Sequence, residues 1–84
     1  MKIDLIRNYI NKLQKEDIIN YLNKESITAN NEEIDIIYNS IKNDFDYIIN
    51  NDFNTYLEKY KSQLNEELYN KIIEKHNEYK KFIE

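Results

Sequence analysis

The sequence predicts an all-α protein, a compact bundle of four to five short helices. Two observations carry that reading. Apolar residues recur at i, i+3, i+4 and i+7 along most of the 84 residues. The chain also contains no glycine and no proline, the two strongest breakers of regular structure. The second observation is the weaker. Ile, Asn, Lys and Tyr supply 48 of the 84 residues, beside one Ala, one Arg and no Val. Codons for the abundant types are rich in A and T, so base composition explains part of the missing Gly and Pro. The helices therefore rest on periodicity.

Residues 3–13 place Ile3, Ile6, Ile10 and Leu13 at 3-4-3 spacing, and Leu5 and Tyr9 are expected to widen that stripe. A second short helix is expected over about 15–24, with Ile18, Ile19, Tyr21 and Leu22 apolar. Glu16 and Asp17 suit its first turn, where the helix dipole favours negative charge. Residues 25–30, Glu-Ser-Ile-Thr-Ala-Asn, read as a loop. Asn30 can cap the next helix, and Glu33 can reach back to the Asn30 N–H, as in a capping box.

The clearest element is 31–50. Ile34, Ile37, Tyr38, Ile41, Phe45, Ile48 and Ile49 fill every position of one helical stripe. Asn50, Asn51 and Asp52 are expected to end it, since Asn tolerates the left-handed backbone that Gly usually supplies. Phe53, Tyr56, Leu57, Tyr60 and Leu64 predict a fourth helix of about three turns. A break is expected between Ser62 and Asn65, although a single bent helix also fits. The last helix shows Leu68, Tyr69, Ile72, Ile73, Tyr79, Phe82 and Ile83, with Glu67 and Lys71 as an i, i+4 pair in the favourable order.

The length suits one domain, 1–84. Apolar content of 40% is too high for a disordered chain. No run approaches the ~20 apolar residues of a membrane span. The opening Met1-Lys2-Ile3-Asp4 does not read as a signal peptide. Cytoplasm is the expected location, with no membrane partner. Zero cysteines exclude disulfides and thiolate metal sites.

The net charge of −4 is unevenly placed: +1 over 1–28, −6 over 29–58 and +1 over 59–84. An acidic middle argues against nucleic acid as partner, because phosphate binding needs a basic stripe. Eight tyrosines could stack on bases, but such platforms come with basic grooves, and Tyr38 and Tyr47 sit in the acidic third. A helix-turn-helix over 15–50 fails because its recognition helix would begin Asn-Glu-Glu-Ile-Asp.

His76 is the single histidine and falls in the arc of Leu68, Ile72, Tyr79 and Ile83. It reads as a part-buried histidine bonded to a Tyr hydroxyl or a carbonyl, rather than a metal ligand or pH sensor. Zinc needs three or four converging ligands. The oxygen-rich run Asp44, Asp46, Asn50, Asn51, Asp52 and Asn54 fails as a calcium loop. From Asp44 the fifth and sixth positions are Ile48 and Ile49; from Asp52 the fifth is Tyr56. Neither a phosphate loop nor a nucleophile with a base partner is present in the sequence, so no catalytic, cofactor or metal residue is assigned.

The spacing from Leu5-Ile6-Arg7-Asn8-Tyr9-Ile10-Asn11-Lys12-Leu13 through Glu16-Asp17-Ile18-Ile19-Asn20-Tyr21, Ile27-Thr28, Glu33-Ile34-Asp35-Ile36-Ile37-Tyr38 and Ile41-Lys42 resembles a small uncharacterised helical family of low-GC Gram-positive bacteria. The resemblance covers the first half of the chain; the second half shares only the helical pattern. Gln14 stands where that family tends to Thr, and Asn30-Asn31 looks like an insertion before Glu32. The family has no assigned activity, so the resemblance implies a fold class and a bacterial origin, and no site residues.

What remains is surface. On helix 31–50, Ile36 and Tyr47 lie opposite the main stripe, with Ser40 and Asn43 between them. The leading expectation is a non-enzymatic module that binds another protein through Ile36 and Tyr47, flanked by Asp35, Asn43 and Asp46. The same face could instead be covered by the first or last helix. Two alternatives are self-association as a homodimer or larger homo-oligomer, and an acidic decoy for a nucleic-acid-binding protein, as small phage inhibitors can be.

Overall fold

The computed structural model describes residues 2–83, and within them every side chain except those of Lys2, Tyr79, Phe82 and Ile83. The expected placement of Tyr79, Phe82 and Ile83 on an apolar arc therefore lies outside the described residues. The fold is all-α, with no strand among the described residues. The helices are α1 (Lys2–Lys12), α2 (Lys15–Lys24), α3 (Asn31–Asn50), α4 (Phe53–Glu58) and α5 (Glu66–Ile83), with a 3₁₀ turn at Lys61–Gln63. The chain divides into two units, Met1–Phe45 and Asp46–Glu84.

In the first unit, Ile10, Leu13, Ile18, Leu22, Ile27 and Ile34 are buried. They come from α1, α2, the loop and the start of α3, and each apolar side chain removed from water contributes about 1.5–3 kcal/mol. One expectation fails here. Leu5 and Tyr9 do not widen the inner stripe of α1: they are 71% and 64% exposed. At ~100° per residue, Leu5 stands about 160° from Ile3 and about 140° from Ile10, so the helix turns it outward.

The end of α2 explains how a glycine-free chain turns. Ile27 N donates to Leu22 O at 2.9 Å and Ser26 N to Asn23 O at 3.1 Å. With Glu25 as the C-cap, this is a Schellman closure. Its left-handed position is Ser26, at φ 58°. Leu22 and Ile27, both buried, supply the apolar contact that accompanies the motif. Six residues later the capping box at the start of α3 forms as expected. Asn30 N donates to Glu33 Oε1 at 2.8 Å, and Glu33 N donates to Asn30 Oδ1 at 2.8 Å. Glu33 is thereby accommodated at 5% exposure.

Helix α3 spans the range expected for it, but Asp44 (φ −114°, ψ 15°) leaves the helical region inside it. Asp is a weak helix former because its carboxylate competes for local backbone N–H groups. The interruption falls at the junction of the two units.

In the second unit the core is Ile48, Phe53, Tyr56, Leu57, Leu64, Leu68 and Tyr69, with Leu68 fully enclosed. The three-turn helix expected after residue 52 is shorter: α4 has six residues. Tyr60 N then bonds to Leu57 O and Gln63 N to Tyr60 O, each at 2.9 Å, and this tighter i to i−3 pattern ends the α-helix. The break before the last helix is present. Asn65 Oδ1 accepts from Leu68 N at 2.9 Å and caps α5, so α4 and α5 are separate helices. Asn50 and Asn51 also end α3 differently from expectation. They do not adopt positive φ, which belongs to Ser26 among the described non-Gly residues. Their Nδ2 groups donate to Asp46 O at 2.8 Å and Tyr47 O at 2.9 Å, so both side chains fold back onto the backbone of the last turn.

Candidate protein interface

The five residues expected to form a contact face divide between the two units. In the first, Asp35 is engaged with Lys15 Nζ at 2.6 Å. Ile36 is half-buried and Asn43 is exposed. In the second, Asp46 is exposed and Tyr47 is 56% exposed. Tyr47 is the large apolar member of the set that solvent reaches most freely.

Tyr47 is held from beneath. Its ring lies 5.8 Å from that of Tyr56, tilted by 46°. Tyr56 is buried and continues the aromatic cluster to Phe53 at 6.2 Å and to Tyr60 at 6.1 Å, edge-on. Phe53 in turn stacks on His76 of α5 at 4.1 Å. Rings at these separations attract one another beyond their area burial. Lys59 Nζ sits 4.2 Å from the Tyr56 ring centre and 5.2 Å from that of Tyr60, within cation–π range. Below Tyr47, the Asn51 amide on its carbonyl fixes the backbone. The result is an aromatic side chain presented to water from a packed support, with an exposed carboxylate beside it.

The histidine expected to bond to a hydroxyl or carbonyl is placed by a ring. Removal of the His76 imidazole from water, and then the nearby Lys80 charge, hold its pKa below the usual histidine value, with Asp52 acting in the opposite sense. Asp52 itself is held below the usual carboxylate value, first by the Thr55 hydroxyl, which donates to Asp52 Oδ2 at 2.6 Å. Among the described residues, no three His, Asp or Glu side chains are grouped to hold a metal ion. Among the described residues, no helix is long and apolar enough to cross a membrane.

Sequence reasoning missed the exposed pair Leu5 and Tyr9 and the support beneath Tyr47. The first was available from the helical wheel of α1. The second depended on which rings of α4 would face the end of α3, and spacing carries no such information. No family model, curated protein or solved structure matches this chain.

Proposed function

We propose that this chain is a non-enzymatic interaction module that binds another protein through Asp46 and Tyr47. The observation that carries this reading is Tyr47, left 56% exposed on a buttress of buried aromatic residues within an acidic third of net −6. A rigid tyrosine gives a large contact area with few torsions to freeze, which suits an interface anchor. The adjacent Asp46 favours a partner that offers an apolar contact beside a basic residue. Ile36 and Asn43 belong to the first unit, where Asp35 already pairs with Lys15. The likeness of the first half to a helical family of low-GC Gram-positive bacteria supports a bacterial setting and brings no residue role.

The test is capture of a partner from an extract of the chain's own cell, followed by affinity measurement with the purified partner. Asp46→Lys and Tyr47→Lys should each weaken binding at least about tenfold, roughly the effect of one interface anchor, with helicity by circular dichroism unchanged. Binding should weaken as salt rises, since exposed charges are screened. An affinity indifferent to both Asp46→Lys and Tyr47→Lys would end the reading.

A further inference from the structure

The partner described above must present large apolar side chains next to a cation, and one such surface is carried by this chain itself. Leu5, Tyr9 and Lys12 stand at i, i+4 and i+7 on α1, so they form one outward stripe. Leu5 and Tyr9 are 71% and 64% exposed, and Lys12 is exposed as well. Ile3, Ile6 and Ile10 take the opposite side, with Ile10 buried, so α1 is apolar on both faces and its outer one is uncovered. Helix α1 carries Lys2, Arg7 and Lys12 against Asp4, a formal +2, whereas 29–58 carries −6.

We propose that the occupant of the Leu5–Tyr9 stripe is a second copy of this chain, docked through its Asp46 and Tyr47. This rests on the reading of Asp46 and Tyr47 as a contact surface and names one partner for it. Tyr47 of one copy packs against Leu5 and Tyr9 of the next, and Lys12 faces the exposed Asp46. The two surfaces are unlike, so the contact is heterologous. Each copy keeps one unused stripe and one unused tyrosine patch, and addition continues unless the rotation closes a ring. A few side chains on each side give less than the roughly 800 Å² per partner of a stable dimer. The association is therefore a weak one that appears at high concentration.

A mixing experiment tests this arrangement. Sedimentation equilibrium of the wild type, up to about 1 mM and thus in the range of weak complexes, should show an average mass climbing above the 10.3 kDa monomer. Tyr9→Glu removes the stripe and Tyr47→Lys removes the patch, so each variant alone should remain monomeric with native circular dichroism. Mixed in equal amounts, they retain one good surface each and should form a pair that stops at twice 10.3 kDa. A wild type that stays monomeric throughout overturns the proposal. So do variants that still associate, or a mixture that stays monomeric, since either result places any contact elsewhere. With a monomeric wild type, capture of a different protein that is lost with Tyr47→Lys but kept with Tyr9→Glu would leave the interaction module standing while self-association falls.

Discussion

The His76 imidazole lies almost flat on the Phe53 ring, with centroids 4.1 Å apart and planes 19° apart. Phe53 is buried, so protonating His76 would place a charge where water is partly excluded. The charged groups acting on it are Lys80 on its own helix, which opposes the proton, and Asp52 at the start of α4, which favours it. The balance lowers the folded-state pKa. Below the ordinary value of 6.5 the unfolded chain therefore binds more protons than the folded one, and stability rises with pH. The contribution is fully present above 6.5 and is lost as pH falls through the lowered folded value. Urea midpoints should drop between about pH 7.5 and pH 5, the window in which histidine titrates. In His76→Gln this part of the profile should be flat, and a wild-type midpoint that rose on acidification would contradict the sign.

Among the described residues, Leu68 is the side chain with no solvent exposure. It sits in the first turns of α5, three residues after the Asn65 cap that bonds its N–H. Leu68→Ala should destabilise by about 2–5 kcal/mol, the range for a buried leucine that leaves a cavity. That is a large part of the stability of a small domain. Denaturant unfolding measures it, and Leu5→Ala is the control. With Leu5 71% exposed, its replacement should change stability by no more than about 0.5 kcal/mol.

Lys42 reaches back to the end of α1. Its Nζ donates to Ile10 O at 3.0 Å, which also accepts from Leu13 N at 3.1 Å, and to Asn11 O at 2.9 Å, a carbonyl of the last turn. A cation at this end also meets the negative pole of the dipole. The same ammonium lies 5.9 Å from the Tyr38 ring, and Lys15 Nζ lies 5.7 Å from it. Lys42→Met keeps the stem and removes the donors, so it should destabilise by about 1–2 kcal/mol. In the variant, amide exchange should quicken in the last turn of α1 before it does in α2. Equal stability with unchanged exchange would show that water caps α1 as well as the lysine does.

How much of this was legible in the sequence depends on range. Contacts within one turn were readable: the Asn30–Glu33 box follows from two residue types three positions apart, and α2 and α3 have the bounds that spacing predicts. Contacts that depend on folding back were not. Lys42 looked like a lone base in an acidic stretch, yet it closes a helix 31 residues earlier. Tyr47 and Ile36 looked equivalent on one helical face. Their environments differ, Tyr47 exposed and Ile36 half-buried, because they belong to different units and Asp44 interrupts α3 between them. Tyr60 fell on the apolar spacing of the fourth helix, but periodicity cannot tell an α turn from the 3₁₀ turn that follows it.

Ser26 shows what the absence of glycine demands of this fold. It holds φ 58° in the Schellman position after α2, where a Cβ crowds the backbone and glycine is the usual residue. The position is imposed from both sides: the Ile27 and Ser26 amides close onto Leu22 and Asn23, and buried Leu22 and Ile27 anchor the turn. Removing the Cβ relieves the left-handed penalty of roughly 1–2 kcal/mol, and the greater freedom of glycine in the unfolded chain takes back up to about 1 kcal/mol. Ser26→Gly should therefore stabilise, by at most about 2 kcal/mol. Ser26→Val, whose branched side chain suits positive φ least, should destabilise by more than about 1 kcal/mol. Thermal unfolding of the pair reads both signs at once. If glycine lowered the midpoint, the Ser26 side chain would have to supply an interaction stronger than the strain it carries.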